Sequence, residues 1–149
     1  PFRDEALRYG QYSKAGEFVY DHPFQWGSRR IGPDLHRVGG KYPNLWHYRH
    51  FQNPRSIASE SMMPSYTWLF DTKLDMTYLQ KKMRAMRAIG VPYSDAEIDA
   101  AFRLSDEQAK KIAQNLKEEG QIEGAEDKEV IALIAYIQRL GTDIRGGKK

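Results

Sequence analysis

Apolar residues follow two regimes along this chain. From residue 94 onward they recur at helical spacing, whereas residues 1–41 scatter aromatics among turn formers with no sustained period. The most apolar run, Val130, Ile131, Leu133, Ile134, Ile137 and Leu140, predicts a helix over 127–140 closed by Gly141. Its apolar positions span more than half the helix circumference, so it needs partners on two sides. Two capping-box signatures, Ser94-Asp95-Ala96-Glu97 and Ser105-Asp106-Glu107-Gln108, predict consecutive helices over 95–103 and 106–119. Ile98, Phe102, Ile112 and Leu116 then face inward, and Gly120 ends the second helix. Upstream, Asp71 or Thr72 can cap a helix running to Ile89, with Leu74, Tyr78, Met83, Met86 and Ile89 as a loose stripe and Gly90 past its end. Pro43 to Gln52 reads as a helix with proline in its first turn, stopped by Asn53-Pro54. Leu45, Trp46, Arg49 and His50 can share one of its faces. Asp4 to Tyr9 suggests one further short helix, ended by Gly10.

The irregular opening needs a different kind of support. Tyr20 to Gly27, punctuated by proline and glycine, reads as an ordered loop whose rings require burial. Gly32-Pro33-Asp34-Leu35 and Gly39-Gly40 follow as tight turns. A segment so poor in periodicity must pack on something besides its own backbone ladder, often a cofactor or a partner. Between the helical stretches lies Ser61-Met62-Met63-Pro64-Ser65-Tyr66-Thr67-Trp68-Leu69. Pro64 restrains Met63 to an extended, presented conformation. A thioether held in that way either fills a core gap or binds a soft metal centre such as haem iron.

Composition narrows the chemistry. At 149 residues, 40% hydrophobic and 29% charged, the chain has the size and character of one globular domain. A formal charge of +3 does not demand a nucleic-acid partner, and the aromatics of residues 20–55 sit in turns rather than on strands, against single-strand binding. No apolar window is long enough to cross a bilayer. Cysteine is absent, which removes disulfides, thiolate metal sites and thioether attachment of haem from the chain's own repertoire. The motifs of zinc proteases, serine hydrolases, P-loop enzymes and dinucleotide-binding enzymes are missing, so no catalytic site is expected. His47 and His50 could reach one ion, but two histidines without a further ligand make a weak metal site. Lys81, Lys82, Arg84 and Arg87 form a basic run that reads as a solvated face or as a dock for an acidic surface or phospholipid headgroups.

Ordered motifs along the whole chain carry a resemblance. Pro1-Phe2-Arg3-Asp4-Glu5, Tyr9-Gly10-Gln11-Tyr12-Ser13 and Glu17 to Ser28 begin it. Gly32-Pro33-Asp34-Leu35-His36-Arg37-Val38-Gly39-Gly40, Asn53-Pro54-Arg55 and Glu60-Ser61-Met62-Met63-Pro64-Ser65-Tyr66 continue it. Gly90-Val91-Pro92-Tyr93 and Ala135 to Thr142 complete it, with an insertion around 103–126. Together these resemble the mono-haem cytochrome c subunit (FixO/CcoO family) of cbb-type haem–copper cytochrome c oxidases. The resemblance implies an all-α, cytochrome c-like helical domain with long ordered loops. It spans residues 1–142, with 143–149 as a disordered tail. It implies electron relay in the respiratory chain, from a di-haem cytochrome c subunit towards the catalytic subunit, on the periplasmic face of the bacterial inner membrane. Met63 matches the family's axial iron ligand. Pro33 and Leu35 lie in the turn that packs against the haem, and Tyr66 and Trp68 fall near the haem on the methionine side.

The chain also departs from the family pattern. The CxxCH motif that supplies two cysteines and the proximal histidine is not among these residues, nor are the N-terminal helix and membrane anchor. The expectation is therefore an excised fragment that starts just after CxxCH and lacks haem, with Met63 a ligand without a metal. Membrane contact would come only through the missing anchor, and nucleic acid is not a partner. The apolar face of the 127–140 helix, deprived of its N-terminal partner, is expected to be covered by self-association or rearrangement. The alternative is a non-redox assembly or interaction domain that keeps the cytochrome frame without its cofactor.

Overall fold

The computed structural model describes residues 13, 16, 19 and 34–142. The helix expected at 4–9, the loop at 20–27, Pro33 and the tail 143–149 lie outside the described residues. Within them the chain is helical, with no β-strand and one isolated antiparallel bridge between Lys73 and Lys128. The α-helices are α1 (Asn44–Gln52), α2 (Trp68–Asp71), α3 (Leu79–Ala88), α4 (Asp95–Gly120) and α5 (Glu129–Arg139). Short 3-10 turns occupy Leu35–Arg37 and Pro54–Ser56. The chain divides into two compact units, Pro1–Tyr42 with Tyr136–Lys149, and Pro43–Ala135.

In the larger unit, α4 is one helix of 26 residues where two helices are expected. Its start agrees with the sequence. Ser94 Oγ accepts the Glu97 amide at 3.2 Å, and the Glu97 carboxylate accepts the Ser94 amide at 2.8 Å, closing a capping box. The second signature at Ser105 lies inside the helix. No proline or glycine interrupts residues 103–110, so the backbone has no reason to leave the helical ladder there. Arg103–Glu107 and Asp106–Lys110 pairs, four residues apart, bracket the expected break. Ile98, Ala101, Ile112 and Leu116 are buried, whereas Phe102, expected inward, is 54% exposed. Phe102 follows Ile98 by four residues and stands at the edge of the buried stripe rather than at its centre. At the far end Gln121 takes a left-handed conformation, φ 56°, rather than leaving that role to Gly120.

The helix expected from residue 72 begins only at Leu79. The intervening chain is drawn out: the Leu74 amide donates to the Asp127 carbonyl at 2.8 Å, and the Glu129 amide donates to the Thr72 carbonyl at 3.1 Å. Asp75 then turns the chain by accepting the Thr77 amide at 2.8 Å. Because these backbone groups are already paired, Thr72 cannot cap a helix. Gly90 follows α3 with φ 106°, the conformation expected of a glycine past a helix end.

α5 is slightly shorter than expected, and Val130, Ile131, Ile134 and Ile137 on it are buried within the single chain. The chain itself covers these four positions, while Tyr136 on the same helix is 60% exposed. In the smaller unit the Gly39 amide donates to the Leu140 carbonyl at 3.0 Å, and the Gly40 amide donates to the Gln138 side-chain oxygen at 2.9 Å. A Cβ at residue 39 would stand inside the van der Waals radii of the Leu140 and Gln138 carbonyl oxygens, and Gly40 has φ 71°. Both glycines are therefore dictated by backbone geometry.

Candidate functional site

The Met-Pro stretch has no helical ladder of its own, and its backbone is held at several points. The Ser61 amide donates to the Ala58 carbonyl at 2.9 Å, and Arg55 Nε donates to the Ser61 carbonyl at 3.3 Å. Ser61 Oγ in turn accepts the Met63 amide at 3.2 Å. Three residues on, the Tyr66 amide donates to the Phe51 carbonyl at 2.9 Å, fastening the loop to the last turn of α1. Met63 is half-buried, while Met62 beside it is exposed.

Under this loop, α1 presents a run of rings. Trp46 and His50 stack with centroids 4.5 Å apart and planes 17° from parallel. Trp46 meets His47 edge-on at 5.3 Å. Phe51 lies 6.2 Å from His50 and 6.1 Å from Tyr66, the latter pair nearly perpendicular. Tyr66 meets Trp68 at 5.2 Å. The rings thus form an unbroken relay from Trp46 to Trp68, with contact geometries in the favourable aromatic range. On a separate edge of α1, Tyr48 packs against Phe70 at 4.8 Å, and burial raises its hydroxyl pKa.

The two imidazoles in the run are neutral near pH 7. Burial lowers the His47 pKa to about 4, assisted by the neighbouring His50, and burial also lowers that of His50. His50 Nδ1 is buried and has no hydrogen-bond partner among the described residues. A buried ring nitrogen normally finds a partner, and the described residues do not supply one here. Among the described residues no three His, Asp or Glu side chains converge on one point as a metal site would require.

The structure brings Tyr66 and Trp68 together and fastens the loop bearing Met63 to the same ring run. Trp68 is 54% exposed, which leaves much of its indole open. Leu35 belongs to the smaller unit, where it opens a 3-10 turn and is exposed. Beside it, buried Asp34 accepts the Ser13 amide at 2.6 Å, so the turn is anchored from the opening segment. Pro33 lies outside the described residues. Sequence reasoning missed Phe51, which with His47 is a buried position of α1; Trp46 and His50 share a face as expected and stack, and Arg49 is exposed. The spacing Trp46, His47, His50, Phe51 was the available signal, since residues one, three and four apart form one side of a helix.

The described residues form helices without strands, with the Met63 loop fastened beside a ring cluster. Its sequence matches, over residues 1–144, the family described as cytochrome C oxidase, mono-heme subunit/FixO, and the chain belongs to that family. The family is haem-containing and forms part of a membrane-associated oxidase complex. No curated protein matches the chain. Among the described residues no helix is long and apolar enough to cross a membrane.

Proposed function

We propose that the chain is the electron-relay part of a cbb-type oxidase's mono-haem subunit, with Met63 as the methionine ligand of the haem iron. In this reading it passes electrons from a di-haem cytochrome c subunit to the catalytic subunit, on the periplasmic face of the bacterial inner membrane. The observation that carries it is the fastening of the Met63 loop to the ring cluster through the Tyr66 amide and the Phe51 carbonyl.

The donor set suits a haem. Met63 offers a soft sulfur, Tyr66 and the open face of Trp68 offer apolar ring surface, and His50 Nδ1 is a buried polar atom awaiting a partner. When bound, haem supplies a one-electron couple, and methionine ligation raises its potential. The chain's own residues do the rest. Ser61 and Phe51 fix the loop backbone so that the sulfur does not have to be ordered at the moment of ligation. The rings exclude water, which raises the potential further and keeps reorganisation small. The neutral imidazoles of His47 and His50 add no charge beside the site. No acid, base or nucleophile is required.

With no cysteine, these 149 residues expressed as they stand carry no thioether-linked haem. A pyridine haemochrome spectrum with c-type bands from them would overturn that statement. In the haem-bearing oxidase subunit, Met63→His should lower the haem potential, because imidazole stabilises the oxidised iron relative to a thioether. An unchanged potential would remove Met63 from the iron.

A further inference from the structure

We infer that the outward face of α3 docks on the anionic headgroup surface of a bilayer. α3 contains no acidic residue and carries Lys81, Lys82, Arg84 and Arg87. One side of it is committed to α4: Gln80 Nε2 donates to the Asp99 carbonyl at 3.5 Å, and Arg87 pairs with Asp95 at 2.6 Å. Leu79, Gln80 and Met83 are the half-buried residues on that side. The opposite side carries Tyr78, Lys82, Ala85 and Ile89 at i, i+4, i+7 and i+11, with Lys81 alongside. Tyr78 is 57% and Ile89 59% exposed, an apolar group at each end of a cationic stretch.

Lys81, Lys82 and Arg84 form no ion pair among the described residues. Lys82 acts on the nearby Asp75 carboxylate, and Arg84 on Asp95, which Arg87 already holds. The face therefore combines free positive charge with apolar side chains that gain by leaving water. A headgroup layer satisfies both at once, phosphates taking the cations while Tyr78 and Ile89 reach the acyl boundary. An acidic protein surface accounts for the charge but not for the flanking apolar groups. The family's place in a membrane-associated complex puts such a surface within reach. With fewer than three helical turns the contact is reversible, and it orients the subunit rather than anchoring it.

The test is flotation of the full chain with phosphatidylglycerol-containing vesicles and with purely zwitterionic vesicles. Binding to the anionic vesicles only, lost in high salt, is expected. The triple variant Lys81→Gln, Lys82→Gln, Arg84→Gln should partition roughly a hundredfold more weakly. Ile89→Ser, with unchanged charge, should weaken it by roughly tenfold. Lys148→Gln with Lys149→Gln, which removes tail charge, should leave binding intact. The substitutions at 81, 82, 84 and 89 change exposed side chains, and far-UV circular dichroism checks that every variant keeps its helix content. Equal binding to both vesicle types, undiminished binding by the triple variant, or loss in the tail variant would overturn the inference. So would absence of vesicle binding together with capture by detergent-solubilised oxidase that the triple variant abolishes, since the face would then serve a subunit.

Discussion

The Tyr66 amide donates to the Phe51 carbonyl at 2.9 Å, and the two rings meet edge to face at 6.1 Å. One helix end thus fixes the loop that presents Met63, by backbone and side chain together. Removing the Phe51 ring should leave a cavity under the loop. Phe51→Ala is expected to lower the unfolding free energy by about 3–5 kcal/mol in a denaturant titration. A loss below about 1 kcal/mol would mean that the ring does not support the loop.

The buried imidazoles give stability a defined pH dependence. His47 has an ordinary pKa of 6.5, lowered to about 4 in the fold. Between those values the unfolded chain binds a proton that the folded chain refuses, so the fold loses stability as pH falls. His47's contribution is fully present above pH 6.5, declines through the interval and levels off below about 4. The loss from this residue is on the order of 3 kcal/mol. Unfolding measured from pH 7 to pH 4 should show that slope, and His47→Phe should flatten it. An unchanged slope in the variant would assign the effect elsewhere.

Gly39 tests the smaller unit. Its Cβ position is occupied by the carbonyl oxygens of Leu140 and Gln138, which are backbone atoms and cannot rotate away. Gly39→Ala should cost about 1–3 kcal/mol and loosen the segment after Ile137. Hydrogen exchange at the Leu140 amide, which donates to the Ile137 carbonyl at 3.1 Å, should accelerate in this variant. Wild-type protection there would contradict the close approach.

Much of the helical architecture was legible in the sequence, because caps and apolar spacing are local signals. Ser94 with Glu97, Gly90 past α3, and the buried Ile98, Ile112 and Leu116 all follow from such signals. The errors arose where distant chain decided the outcome. Thr72 to Leu74 could not be read as extended, because their partners are Asp127 and Glu129, more than fifty residues away. Ser105 has the composition of a cap, yet the unbroken ladder around it outweighs a side-chain preference of about 1 kcal/mol. The Met63 loop was legible as an oddity through its Met-Pro pair. Its seat on Phe51 was not, since a backbone carbonyl leaves no mark in a residue pattern.

The central claim is that Met63 supplies the sulfur to the iron. The most direct measurement is the near-infrared absorption of the oxidised, haem-bearing oxidase subunit, where a thioether-to-iron charge-transfer band reports that bond. The band is expected in the wild type and in Met62→Ala, and its loss is expected in Met63→Ala. A band that survives Met63→Ala, or disappears only with Met62, would contradict it.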